Sequence, residues 1–133
     1  PKGNVTARTA FEVMPFENNM VVIALKGSQI NELVAHIIKE KKPHPLSGMK
    51  LILDKNLLVK SIMIQDKEID LNTIYYVATS DYLANGGDNM QFFLTNEGVF
   101  DLDYKIRNIL IDYFKEVNTV EASSVPRIII NPN

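Results

Sequence analysis

Met20 to Gly27 reads MVVIALKG, an unbroken apolar run, and the residues directly behind it change period. The run is β-branched enough for a buried strand. After Ser28, placed to cap a helix, Ile30, Leu33, Val34, Ile37 and Ile38 recur on one helical face, so an amphipathic helix is expected over 29–40. A strand that passes straight into a helix excludes both an all-β and an all-α chain. KKPHPLSG (41–48) ends the helix, because Pro43 and Pro45 cannot continue it.

The rest repeats this alternation. Thr6 suits the cap of a short helical turn that ends before Pro15. MKLILD (49–54) and LLVKSIMIQ (57–65) read as a hairpin about Asp54-Lys55-Asn56, followed by a turn at Asp66-Lys67 and a strand TIYYVATS (73–80). Residues 102–117 return to helical spacing through Leu102, Ile106, Ile109, Leu110, Tyr113 and Phe114, with Asp101 expected as the cap, and VPRIIIN closes as a short strand. The expectation is an α+β fold: one compact domain over 1–133, with mixed sheets of hairpins and about two main helices.

Composition narrows the function classes. At 133 residues and 46% hydrophobic content, the chain can bury a real core. Its net charge of −2, from 14 basic and 16 acidic residues, leaves no basic stripe for a nucleic acid polymer. No apolar run approaches the roughly 18 residues of a transmembrane helix. There is no cysteine, so no disulfide framework or thiolate metal site exists. The opening Pro1-Lys2-Gly3 reads as the middle of a protein, which points to a trimmed fragment or a processed product.

Catalytic groups are scarce. His36, in the helical segment, and His44, between two prolines, are read as ordinary surface or cap histidines without a carboxylate at helical spacing. Asp66, Glu68 and Asp70 alternate in a calcium-like way, but the twelve-residue loop with its glycine and closing glutamate is missing. No Gly-x-Ser-x-Gly elbow is present. Neither a catalytic residue nor a metal ligand is expected in this chain.

Binding is better served. In SDYLANGGDNMQFF (80–93), Gly86 and Gly87 permit restricted backbone geometry and a close approach to the main chain. A carboxylate directly after such a turn, Asp88, can accept hydrogen bonds from vicinal hydroxyls. Tyr82, just before the turn, can offer a ring to a planar ligand. The same residues also suit a tight turn with Tyr82 in the core and Asp88 capping the next segment, and the local pattern leaves both open. In VMPFEN (13–18), Pro15 fixes its own φ and restricts Met14, so Phe16 is held in a defined direction at little entropic cost. Phe16 is either a core plug or the second half of an aromatic clamp, in which stacking a base is worth about 1–3 kcal/mol.

Taken in order, PFEN, LKGSQI, YYVATSDYLANGGDNMQFF and PRIIIN resemble the C-terminal domain of the 5′-nucleotidases over nearly the whole chain. The resemblance implies a division of labour. An N-terminal metallophosphatase domain, in the same chain or a separate one, would hold two divalent metal ions and the catalytic pair. This domain would recognise the nucleotide or nucleoside and hold no cofactor. Phe16 and Tyr82 would sandwich the base, Asp88 would contact the ribose, Asn18 would touch the base edge, and Gly86 and Gly87 would shape the turn. A periplasmic, cell-surface or secreted location goes with the family.

Two departures stand out. The family's phosphate-binding Asn-Gly-Gly-Gly-x-Arg segment is not in this chain, and Arg8 does not align with it. Asn89-Met90 replaces the usual glycine and aromatic, which puts the geometry of the turn in question. The alternatives are a stand-alone, non-catalytic nucleoside-binding module and a purely structural domain.

Overall fold

A computed structural model of the chain describes residues 2–131; Pro1, where the sequence opens, lies outside them. The elements run α1 (Ala7–Val13), β1 (Asn19–Lys26), α2 (Gly27–Glu40), β2 (Met49–Leu53), β3 (Val59–Ile64) and β4 (Lys67–Glu68). They continue with β5 (Ile74–Ser80), α3 (Asp81–Ala84), β6 (Gly98–Lys105), α4 (Ile106–Glu116) and β7 (Ile128–Ile130), with two short 3₁₀ turns at Gly87–Asn89 and Gln91–Leu94. The α+β class is as expected, with α2 and α4 the two main helices. Among the described residues no helix is long and apolar enough to cross a membrane. The contacts divide the chain into two compact units, Pro1–Leu25 with Tyr76–Glu121 and Lys26–Tyr75 with Ala122–Asn133.

The first unit is built on a three-stranded sheet in the order β5-β1-β6. β1 is central, which is why it reads as a continuous apolar run rather than an alternation. Ile23 and Leu25 are fully buried, and each contributes roughly 1.5–3 kcal/mol by leaving water. Ala10, Ala84, Met90 and Phe93 complete this core. Thr6 caps α1 as expected, in a reciprocal pair with Thr9.

β6 corrects the reading of 102–117 as one helix capped by Asp101. Residues 98–105 pair antiparallel with β1, Val21 facing Asp101 and Ile23 facing Val99, and α4 begins only at Ile106. Asp101 instead accepts the Asp103 N–H at 2.8 Å, where Asp103 turns to φ 50° beside the irregularity in the β1–β6 register. A central strand leaves two edges to be satisfied, and that pairing outweighs the local helical period. The first helical N–H of α4 goes to the carbonyl of Asn18 at 2.9 Å, which makes a side-chain cap unnecessary there.

The second unit carries α2 and a four-stranded sheet in the order β4-β3-β2-β7. The expected hairpin is present, with Leu51 opposite Ile62, and its turn is tied by Asp54, whose Oδ1 accepts from Asn56 and Leu58 at 2.8 and 2.9 Å. The next turn falls on Gln65-Asp66, both at positive φ, one residue earlier than expected. The closing strand pairs parallel with β2. Ile30, Leu33, Val34, Ile37, Leu51, Leu53 and Ile62 are buried.

Ser28 is not the cap of α2. The helix starts at Gly27 behind Lys26, and Gly27 and Ser28 donate to the carbonyls of Thr73 and Leu71 at 3.0 and 3.2 Å. With its leading N–H groups already satisfied by the 70–73 loop, the helix gains nothing from a serine cap.

Candidate functional site

Ser80 ends β5 and accepts the Leu83 N–H at 3.1 Å, which starts the one-turn helix α3 and sets Asp81 and Tyr82 at its head. Gly86 follows at φ 90°, a left-handed position that suits glycine, and Asp88 and Asn89 continue at φ 52° and 60°. Asparagine is among the side chains that tolerate this region best, so Asn89 can stand where the family commonly has glycine. Met90 is buried and anchors the turn, as a core residue in the place of the usual aromatic. The departure at Asn89-Met90 therefore leaves a well-formed turn.

Tyr82 is 53% exposed and so is not a core residue. Its ring is held from two sides. A Cβ on Gly87 would lie 2.6 Å from the ring and from the Tyr82 carbonyl, so only glycine allows this approach. Its hydroxyl donates to Asp88 Oδ1 at 3.1 Å. The close approach that the Gly-Gly pair permits is thus used first by the tyrosine itself.

Asp81 was not singled out from the sequence, and it is the hub of the site. Its Oδ1 accepts from Asn18 Nδ2 and from the Tyr82 N–H, both at 2.7 Å, and its Oδ2 accepts from the Asn19 N–H at 3.2 Å. One carboxylate thereby ties the loop before β1 to the head of α3. The Asn18 hydrogen bond is the main cause holding the Asp81 carboxyl below its ordinary value of 3.8, against the opposing effect of burial; the backbone N–H groups of Asn19 and Tyr82 and the charge of Lys105 add to it. Because the folded-state value is depressed, the stabilisation from Asp81 is complete above the ordinary value and is lost as pH falls through the folded one. The Asp81 carboxyl, followed by NMR, is expected to titrate with a midpoint below 3.8 and to carry the Asn18 side-chain amide resonance with it. A midpoint at or above that value would overturn the tie.

Asn18, Asp81, Tyr82, Asn85, Gly86 and Gly87 line an open cleft of about 530 Å³. Of the six residues expected at the site, Asn18, Tyr82, Gly86 and Gly87 meet there. Asp88 joins through the Tyr82 hydroxyl. Phe16 is 66% exposed in the loop between α1 and β1, outside the lining of the cleft.

The histidines differ from expectation. His36 and His44 both face Glu40, at 3.5 and 3.8 Å from its two carboxylate oxygens. Glu40 is four residues from each, and Lys41 in the left-handed conformation turns the chain back behind the helix. Among the described residues no group of three or more histidines and carboxylates is placed to hold a metal ion.

A family model described as "5'-nucleotidase, C-terminal domain" matches residues 1–95. The chain belongs to this family. As a 5′-nucleotidase C-terminal domain it is 26% identical over 125 residues to Protein UshA of Yersinia enterocolitica, covering 91% of this chain and 22% of that protein. It is 25% identical over 147 residues to an apyrase of Tabanus yao, covering 96% of this chain and 26% of that one. Among solved structures, the 5′-nucleotidase precursor of Thermus thermophilus superposes with a TM-score of 0.84 at 27% identity, over 98% of this chain and 28% of the other. The NAD nucleotidase of Haemophilus influenzae shares the fold, with a TM-score of 0.81 at 21% identity over 98% of this chain and 27% of that one. The chain thus spans about a quarter of the length of these relatives.

Proposed function

We propose that this domain recognises the nucleoside part of a nucleotide for a 5′-nucleotidase-type phosphohydrolase. The observation that carries the reading is Tyr82, an exposed ring held by Gly87 and Asp88 in a cleft that the hydrogen-bonded Asn18–Asp81 pair also lines. The Tyr82 ring stacks on one face of the base and Phe16 supplies the other. Asp88, with Oδ1 engaged by Tyr82, receives the ribose hydroxyls. Asn18 reaches the base edge; one N–H of its Nδ2 goes to Asp81, which leaves its Oδ1 and the second N–H for the base.

The domain contributes binding and orientation, holding the phosphate where hydrolysis takes place. Bond cleavage belongs to an N-terminal metallophosphatase domain with two divalent metal ions, for which the described residues of this chain offer no ligand set. A periplasmic, cell-surface or secreted setting is part of the same proposal. Titration of the chain with adenosine or AMP, followed residue by residue by NMR, is expected to shift Phe16, Asn18, Tyr82 and Asp88. Shifts confined to other residues would overturn the reading.

A further inference from the structure

Phe16 cannot owe its direction to its own packing, because two-thirds of its surface faces solvent. Its backbone must hold it, and the grip comes from a distant part of the sequence. The start of α4 meets the loop from Met14 to Asn18 at several points. Lys105 Nζ donates to the Glu17 carbonyl at 3.0 Å, and the Ile106 N–H donates to that of Asn18 at 2.9 Å. Arg107 does most. Its guanidinium lies 3.8 Å from the centroid of the Phe11 ring on α1, and its Nη1 approaches the carbonyls of Met14 and Pro15 at 3.4 and 3.5 Å. Its Nη2 pairs with the Glu17 carboxylate, whose pKa is lowered first by that hydrogen bond and then by the guanidinium's charge.

Arg107 is 7% exposed although charged. A buried guanidinium costs several kcal/mol unless its donors are engaged, and a hydrophobic residue would fill the same space without that cost. What an apolar side chain would not do is reach two carbonyls and a carboxylate on either side of Phe16 while stacking on α1. The planar fork of arginine has that reach and lysine does not.

We infer that Arg107 is a positioning residue for base recognition: it fixes the Met14–Glu17 loop so that Phe16 stands ready to stack. It touches no ligand itself and acts through Phe16. The inference rests on the proposed nucleoside reading, and its test separates the two.

The test is a double-variant cycle on the whole chain, with adenosine as the probe and affinity read by NMR titration. Phe16→Ala is expected to weaken binding about tenfold, within the range for one lost stacking partner. Arg107→Lys keeps the charge for Glu17 and is expected to weaken binding by a similar factor, about fivefold to tenfold, while the chain stays folded. The decisive expectation is the double variant, which binds no more weakly than Phe16→Ala alone, because Arg107 has nothing left to position. Multiplying losses would assign Arg107 to general stability and overturn the inference. Wild-type affinity in Arg107→Lys beside a weakened Phe16→Ala would overturn it too, leaving the nucleoside reading intact. Wild-type affinity in Phe16→Ala would overturn it as well and take Phe16 out of the proposed clamp, whereas no adenosine binding by the parent chain would overturn the nucleoside reading itself. Should Arg107→Lys fail to fold, Glu17→Gln takes its place in the same cycle with the same outcomes, since Glu17 is exposed and its loss leaves no buried carboxylate.

Discussion

Tyr82→Ala is expected to weaken adenosine and AMP binding by about tenfold to a hundredfold while leaving the melting temperature within about 2 °C of the parent. The size follows from the ring. One base stacked on an aromatic side chain is worth about 1–3 kcal/mol, and each 1.4 kcal/mol is about tenfold in affinity. Stability is spared because half of the ring already faces water and its removal opens no cavity in the core. Gly87, pressed against the ring, simply loses a neighbour. Tyr82→Phe divides the contribution. It keeps the stacking face and removes only the hydroxyl that donates to Asp88, so it is expected to lose no more than about threefold to tenfold, the value of one hydrogen bond. Within a full-length enzyme the same pair of variants is expected to raise KM in the same order. Unchanged affinity in Tyr82→Ala would remove the stacking role outright, and a Tyr82→Phe as weak as Tyr82→Ala would move the weight from the ring to the Tyr82–Asp88 bond.

What could be read from the residues was local. Thr6 as a cap, β1 as a buried strand and the apolar face of α2 depend on neighbours within a few positions, and all three stand in the structure. The Gly-Gly turn was legible for the same reason, since a left-handed position at Gly86 leaves a mark in residue type. β6 was not legible, because its reason for being a strand is β1, some 80 residues earlier along the chain. Local spacing around Leu102 and Ile106 favoured a helix, and the unpaired edge of β1 decided otherwise. The same distance hid two residues of the site. Asp81 meets Asn18 across 63 positions, and Arg107 meets Glu17 across 90. For Arg107 a signal existed: it lies on the helical face of Leu110, Ile111 and Phe114, and one cation in an apolar stripe marks a charge that must be paired. For Asp81 there was only its place after a capping serine, which fits any helix start. Glu40 was within reach, four residues from each histidine, and only the left-handed turn at Lys41 makes both spacings count.

Gly27→Ala is expected to cost the chain about 3 kcal/mol, a fall in melting temperature of roughly 10 °C. Its φ is ordinary, so the argument is one of space alone. A Cβ at this position would stand 2.1 Å from the carbonyl oxygen of Asp70 and 2.9 Å from the Cα of Leu71. Both are backbone atoms, and neither can swing aside as a long side chain would. The loop that blocks the Cβ is also the one that accepts the N–H groups of Gly27 and Ser28 through Thr73 and Leu71. Retreat of the loop to admit a methyl group would therefore break two hydrogen bonds at the head of a helix whose N-cap residue, Lys26, offers no side-chain acceptor to replace them; Gln29 Oε1 accepts only the Lys26 N–H, at 2.7 Å. Alanine's better helix propensity, about 1 kcal/mol over glycine, works in the opposite direction and is outweighed by this clash. Circular dichroism melts of the two chains measure the difference. Ser28→Ala is the matched control, and it is expected to melt within about 2 °C of the parent because Ser28 does not cap the helix. A Gly27→Ala chain that melted with its parent would mean that the 70–73 loop can withdraw freely, and the account of how α2 begins without a serine cap would fall with it.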